Sequence, residues 1–160
     1  MAAIFSINKG GSTSEIIAST GTLSPLGGGI VLSKLSGWDD VPAPERNTQP
    51  KILADGDFVS KYTRYPGRLI QVEMMIINPS RTGVRSLRTK IVNLRTAGDF
   101  FPLELERGEE VEVFDEAYID GEVLWDERAD YYARVSLELK TLSAYKKIYV
   151  AGSSEPIITL

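Results

Sequence analysis

Apolar and polar side chains alternate along several short stretches of the chain, and two of these predict strands most clearly. In residues 68–77 the apolar positions recur at every second residue, and the intervening positions are partly apolar as well. In residues 131–139 the alternation is cleaner, with Arg134 and Glu138 on the polar side. Successive side chains of a strand point to opposite faces, so residues 131–139 predict a strand with one solvated face. The strand at residues 68–77 is predicted to lie inside a sheet or against another subunit.

One stretch has helical periodicity instead. Residues 80–97 carry apolar side chains three and four positions apart, and Ser80 follows an Asn-Pro pair as a natural N-cap. Gly98 suits the position just after a helix C-terminus. The polar positions of this helix include arginine and lysine but no acid. We therefore predict a single amphipathic helix that packs on the strands and presents a basic face.

The remaining pattern completes a mostly β protein. A further strand is predicted at residues 30–38, and alternating segments with Gly-containing turns fill residues 101–125. The predicted fold class is mostly β (α+β), an antiparallel β-barrel or sandwich of about seven strands with one packed helix. Residues 30–150 would form this domain, and residues 1–29 an arm with a short strand. Residues 151–160 end in an apolar tail, which we expect to dock on the domain or on a partner.

Composition narrows the possible chemistry. The 160 residues contain no cysteine and no histidine, which excludes disulfides, cysteine nucleophiles, imidazole bases and histidine metal sites. The net charge of −4 argues against general affinity for phosphate backbones. The first residues lack the apolar core of a signal peptide, and no apolar run approaches the ~20 residues of a membrane helix. We therefore expect no cofactor, no metal and no membrane partner, and synthesis in a cytoplasm, while an enzyme would have to use carboxylates, lysine, tyrosine or serine alone.

Three features suggest specific chemistry, and each has a simpler interpretation. Asp55-Gly56-Asp57 resembles part of a calcium loop but lacks the further oxygen ligands, so a turn is favoured. The glutamates of residues 104–112 mostly alternate with apolar residues, as the solvent face of strands does, which favours a solvated surface over a catalytic carboxylate pair. For the basic helix we favour a solvated surface, then pairing with acidic strands of a neighbouring subunit, and last nucleic-acid binding.

The order of the pieces in the central part of the chain resembles a known family. LSGWDD at residues 35–40 precedes a proline-rich loop, and ADGDFVSKYTRYPGRLIQVEMMI follows at residues 54–76. A helix with Leu-Arg pairs comes next, and YYARVSLELKTLSAYKKI at residues 131–148 ends with an aromatic and two lysines. In order and spacing these pieces are similar to the ring-forming N-terminal domain of siphophage distal tail proteins. The resemblance covers roughly residues 25–150.

The resemblance implies a structural role in the virion, at the tail tip. Family members form hexameric rings that join the tail tube to the hub, and DNA passes through the bore. It implies that this chain contacts copies of itself, the tail tube protein, and the hub and tape measure proteins, and meets DNA only during passage. Arg68 would start a strand at the ring face, where it suits a bidentate carboxylate pair. The subunit-interface candidates are Trp38, Asp55, Gly56, Tyr62, Tyr65, Gly67 and Arg68.

Many relatives carry a galectin-like domain after the ring domain, for which 160 residues leave no room. We therefore expect other tip proteins to recognise the receptor. Two alternatives stay open. A tail tube protein or a head–tail completion or connector protein would share a related barrel and a place in the virion. A small carbohydrate-binding or glycan-hydrolysing β domain is the alternative from a different class, and it predicts a monomer with an exposed aromatic cleft.

Overall fold

Strands account for most of the described chain, with one helix after the sixth strand. The computed structural model describes residues 2–11, 15–20, 29–45, 48–50, 57–59, 64–150 and 152–159. The strands are β1 Ile4–Ile7, β2 Ile16–Ser19, β3 Gly29–Ser36, β4 Thr48–Pro50, β5 Asp57–Val59, β6 Leu69–Ile77, β7 Phe101–Arg107, β8 Glu110–Ile119, β9 Leu124–Ala129, β10 Tyr132–Thr141, β11 Lys147–Val150 and β12 Ile158–Thr159. The helix is α1 Arg81–Thr96. The predicted mostly β fold class is confirmed.

Seven strands close into a barrel. Their order is β8-β7-β1-β2-β3-β6-β10, and β10 returns to pair with the end of β8. Each neighbouring pair is antiparallel except β2 and β3, which run parallel. Outside the barrel, β9 pairs with the first half of β10, and β11 pairs with the first half of β8. The strands β4 and β5 form a separate two-stranded sheet.

The barrel interior is apolar because alternate residues of each strand face it. On β6, every second side chain from Ile70 to Ile76 is fully buried, as the periodicity predicted. On β10 the same alternation buries Ala133, Val135 and Leu137. Facing strands therefore place rows of aliphatic side chains against one another, which supplies the main driving force for folding.

Helix α1 begins and ends where its capping residues predicted. The Ser80 hydroxyl accepts a hydrogen bond from the Gly83 N–H at 3.1 Å, and Gly98 follows the helix with a φ of 69°. The helix packs its apolar stripe on the barrel. Its buried residues are Val84, Ile91 and Leu94. Among the described residues, no helix has the length and hydropathy needed to cross a membrane.

The N-terminal segment differs from the expected arm. The sequence predicts one short strand in residues 1–29, whereas the structure has two, and both belong to the barrel. Phe5, Ile7 and Ile16 from these strands are at most 1% exposed. The second strand has only four residues between polar neighbours, so its periodicity is too short to detect. Both strands of this segment thus contribute side chains to the barrel core.

The C-terminal tail docks on the domain itself. The strand β12 pairs antiparallel with β11, with Thr159 opposite Lys147 and Ile158 opposite Ile148. The Ile157 N–H also donates to the Ile148 carbonyl at 2.8 Å. Of the two docking surfaces that the sequence left open, the described residues use the chain's own strand β11.

Candidate functional site

Four of the predicted interface residues are described, and the structure brings them to one corner of the barrel. Trp38 follows β3, while Tyr65, Gly67 and Arg68 precede β6. Because β3 and β6 pair antiparallel, the end of one strand lies beside the start of the other. The candidates Asp55, Gly56 and Tyr62 lie outside the described residues.

Two glycines allow chain segments to approach closely at this corner. A Cβ at Gly67 would lie 1.6 Å from the carbonyl oxygen of Thr141, and a Cβ at Gly37 would lie 2.0 Å from that of Leu69. Gly37 also has a φ of 83°, in the left-handed region that favours glycine. Backbone therefore packs directly on backbone here, which fixes the relative positions of β3, β6 and the end of β10.

Trp38 belongs to the core. Its side chain packs edge-to-face on Phe5 and Phe114, with ring centroids 5.8 Å and 5.0 Å away. The indole Nε1–H donates to Glu112 Oε2 at 2.7 Å, and the residue is 2% exposed. Within the single subunit this interface candidate therefore lies in the core, where the buried ring holds the corner together.

Arg68 is also buried and joins three segments of the chain. Its Nη1 donates to the Trp38 carbonyl and its Nε to the Ala144 carbonyl, both at 2.6 Å. The guanidinium carbon lies 5.3 Å from the ring centroid of Phe114. Burial lowers the pKa of Arg68 from its ordinary value, and nearby carboxylates oppose that shift. The sequence suggested a carboxylate pair for Arg68, whereas the guanidinium instead binds backbone carbonyls and acts as a brace.

An ionic network lies beside this corner. Lys146 Nζ donates to Asp39 Oδ1 and to Glu112 Oε2, both at 2.5 Å. Arg107 approaches Asp39 Oδ2 to 3.1 Å and Glu112 Oε1 to 3.4 Å. The side chains of Glu112 and Lys146 are 7% and 8% exposed, so this pair is shielded from water. Two acids and two bases thus balance one another, and in the described part of the chain no buried side-chain nitrogen or oxygen is without a hydrogen-bond partner.

The burial of Glu112 corrects the interpretation of the acidic strand. The alternation around it predicted a solvent-facing glutamate, but Glu112 is opposite Leu105 and is 5% exposed. Phe114, two residues on, shares its face and fills the core. The pattern was ambiguous because Val111 and Val113 on the other face are also apolar. The buried Glu112 is stabilised by Lys146, Trp38 and Arg107, and no local signal around Glu112 reveals the distant Lys146 or Trp38.

The ionic network predicts that the free energy of unfolding falls at acid pH, in part because Asp39 becomes protonated. The hydrogen bond from Lys146 and, secondarily, Arg107 hold the pKa of the Asp39 carboxyl below its ordinary 3.8, against the effect of burial. A lowered folded pKa stabilises the fold above the unfolded value and loses that contribution as the pH falls through the folded pKa. Urea unfolding between about pH 5 and pH 2 should therefore show a shallower fall for Asp39→Asn than for the wild type. We expect a modest difference, since the side chain is 59% exposed; identical slopes would contradict the assignment.

An exposed apolar groove lies over the network. Tyr65 and Tyr145 are 41% and 50% exposed, with ring centroids 6.0 Å apart, and Val41 beside them is 77% exposed. The groove is open and has a volume of about 510 Å³. We call it the tyrosine groove, and its lining residues are Asp39, Val41, Pro42, Tyr65, Arg68, Ala144, Tyr145 and Lys146. Among the described interface candidates predicted from the sequence, Tyr65 alone is exposed in this groove. Tyr145 was not an interface candidate, and the sequence singled it out only as the aromatic residue before two lysines.

Comparison with known proteins gives one type of match. No family model matches this sequence, and no curated protein matches it. Among solved structures, the chain resembles the crystal structure of the Dit protein of phage SPP1, described as a paradigm of the hub adsorption apparatus in phages that infect Gram-positive bacteria. The TM-score is 0.49 and the identity 14%, and the match covers 74% of this chain but 46% of that one, so this chain spans less than half of the solved protein.

Proposed function

We propose that this chain is a non-enzymatic structural subunit of a phage tail tip. In this proposal it is a distal tail protein that forms a ring, expected to be hexameric, between the tail tube and the hub. DNA passes through the bore of the ring, and assembly takes place in the host cytoplasm. The observation that carries the proposal is the tyrosine groove, an exposed apolar surface held on a rigid and internally satisfied ionic network.

The chemistry of the corner favours structure over catalysis. The carboxylates of Asp39 and Glu112 are both engaged by Lys146 at hydrogen-bond distance. A general acid at neutral pH needs a raised carboxyl pKa, whereas the pKa of Asp39 is lowered. A lysine nucleophile needs an amine that is free to react, whereas Lys146 Nζ is engaged by the carboxylates of Asp39 and Glu112. The polar groups are thus used to hold chain segments together.

The surface above the network has the character of a protein contact. Tyrosine is enriched among the residues that dominate binding energy at interfaces, because it buries a large area at a small entropic cost. Tyr65 lies two residues before Gly67, and Tyr145 lies between Ala144 and Lys146, whose backbone and side chain are anchored. Both rings are therefore presented from braced segments, which reduces the ordering needed on binding.

Mass measurement with negative-stain imaging tests the proposal. The wild type is expected to form closed rings, and Tyr65→Ser/Tyr145→Ser to shift the protein toward monomer. Loss of hot-spot contacts of about 2 kcal/mol each corresponds to at least roughly 30-fold weaker association per contact. Tyr131→Ser is the matched control, because Tyr131 is 58% exposed and lies just before β10, at the opposite end of that strand from Thr141. This control should assemble as the wild type does.

A monomeric wild type at high concentration would overturn the proposal. The exposed tyrosines also give the carbohydrate-binding alternative a specific basis, because aromatic rings on an open groove can stack on sugars. That alternative predicts a monomer that binds glycans and loses the binding in Tyr65→Ser/Tyr145→Ser. Tubes in place of single rings would favour the tail tube alternative.

A further inference from the structure

The two ends of the strand β8 carry surfaces of opposite charge. At its start, the turn from β7 presents Glu109 and Glu110, and the β11–β12 connection adds Glu155; all three are exposed. Val150, which pairs with Glu110, is 38% exposed, and Ile157 is 58% exposed. We call these five residues the acidic tip. Within the described residues none of its three glutamates forms an ion pair.

Beyond the end of β8 lies a basic and apolar groove of about 420 Å³ between α1 and the segment that leads into β9. Val92 is 46% exposed beside it, and the guanidinium of Arg88 lies 5.7 Å from the ring centroid of Trp125. We call this the helix groove, and its lining residues are Arg88, Ile91, Val92, Arg95, Thr96, Val123 and Trp125.

Four arginines lie along α1, and the helix dipole disfavours Arg81 in the first turn but favours Arg95 in the last turn. Arg81, Arg85, Arg88 and Arg95 are spaced by four, three and seven residues, so they share one side of the helix. The first turn has no acid, although an acid there is favoured by the helix dipole and a cation is not. Asp130 and Glu127 approach Arg81 and Arg88 only to 3.6 Å and 4.0 Å.

The remaining arginines of this side have no ion pair inside the described parts of the chain. These are Arg85 and Arg95. A like-charged stripe that its own fold leaves unneutralised lowers the stability of the monomer. Such local conflicts are expected where a sequence serves a contact outside the domain. The unneutralised charge therefore indicates an acidic partner.

The two surfaces are far apart on one subunit. Glu110 begins β8, whereas Val123 follows its end, and Phe101, soon after α1, pairs with Ala117 near that end. The ten residues of β8 span about 30 Å. The acidic tip of one copy therefore meets the helix groove of another only in a head-to-tail contact. Repetition of a head-to-tail contact produces a ring when the rotation closes.

We propose that the helix groove of each subunit receives the acidic tip of a second copy of this chain. Val150 and Ile157 of the tip cover Val92 and Trp125, and the tip glutamates pair with the groove arginines. This inference rests on the proposed ring and specifies its repeating contact. A second copy fits better than nucleic acid, because the groove floor is apolar and the chain has a net charge of −4.

Charge exchange tests the pairing. The tip variant is Glu109→Lys/Glu110→Lys and the groove variant is Arg88→Glu/Arg95→Glu. Each variant alone places like charges in every contact and should sediment as a monomer under conditions where the wild type forms rings. An equimolar mixture should restore rings, because lysine tips meet glutamate grooves and glutamate tips meet arginine grooves. Rings in the mixture should alternate the two variants and so contain an even number of subunits.

Matched controls change the same charges elsewhere. Lys90→Glu alters the opposite side of α1, and Glu122→Lys alters an exposed acid outside the tip; both should assemble as the wild type does. Far-UV circular dichroism checks folding, and Arg95→Glu alone replaces the groove variant if that variant unfolds. Arg95 makes neither the cation–π contact nor the ion pair of Arg88.

The outcomes separate the two proposals. A wild type that never assembles overturns both the ring and its contact. Wild-type rings that persist in both folded charge variants overturn the contact alone, as does a mixture that stays monomeric. A groove variant that forms normal rings but loses binding to a DNA oligonucleotide would assign the groove to nucleic acid and overturn the pairing with the tip.

Discussion

Gly67→Ala should lower the free energy of unfolding by about 3 kcal/mol, the upper range for forcing extra volume into a packed site. The added Cβ would lie 1.6 Å from the carbonyl oxygen of Thr141, so the backbone at the start of β6 or the end of β10 must move. That movement would also break the hydrogen bonds between Arg68 and Thr141, at 2.8 Å and 3.0 Å. Urea unfolding followed by tryptophan fluorescence measures the change.

Gly98→Ala is the matched control for this substitution. Gly98 has a φ of 69° but nothing within 4 Å of an added Cβ, so only the backbone conformation is penalised. The expected loss is about 1 kcal/mol. Equal destabilisation by the two substitutions would show that the close approach of Gly67 to Thr141 is not a constraint on the fold.

Lys146→Met should destabilise the protein by about 3 kcal/mol, because it leaves the buried carboxylate of Glu112 without its principal counter-charge. Arg107 stays at 3.4 Å and is partly exposed, so it compensates only weakly. The double variant Lys146→Met/Glu112→Gln should recover most of the loss. In the wild type the Trp38 indole N–H donates to the Glu112 carboxylate at 2.7 Å. A glutamine at this position removes the charge and keeps an oxygen that can accept this hydrogen bond.

A double-mutant cycle on Glu112 and Lys146 gives the measurement. The coupling free energy between the two sites should be favourable and larger than the value of up to about 1 kcal/mol typical of exposed ion pairs. The exposed pair Arg128 and Asp126, at 2.6 Å, is the comparison and should give a smaller coupling than Glu112 and Lys146. If the two substitutions change the free energy of unfolding additively, Glu112 and Lys146 do not stabilise one another as a buried ion pair.

The sequence predicted those elements whose periodicity is long and whose ends carry clear signals. Helix α1 has both, from Ser80 at its start to Gly98 after its end. The alternating β6 and β10 were predicted for the same reason. The four-residue strand β2 was missed because its flanking glycine, serine and threonine residues read as a linker.

The corner of the barrel was predicted in part. The position of Gly67 and Arg68 before a strand is visible in the sequence, and so is the exposed character of a tyrosine beside proline and glycine. Partners distant in the chain are not, because single-sequence patterns describe local structure only. Glu112 and Lys146 are 34 residues apart, and Arg68 and Ala144 are 76 apart, so their contacts follow from the topology of the barrel.

The closure of the barrel has a thermodynamic consequence for assembly. Three residues of β8, Ala117, Tyr118 and Ile119, pair with β10. Among the described barrel strands, only β2 and β3 have fewer paired residues. Thr141 at the end of the β8–β10 pairing touches Gly67, so the tyrosine groove lies alongside it. A neighbouring subunit bound in the tyrosine groove would contact the residues beside the β8–β10 pairing and stabilise it. Because such a partner binds only the folded state, the free energy of unfolding would rise with protein concentration. Isolated subunits would therefore open more readily than subunits held in a finished particle.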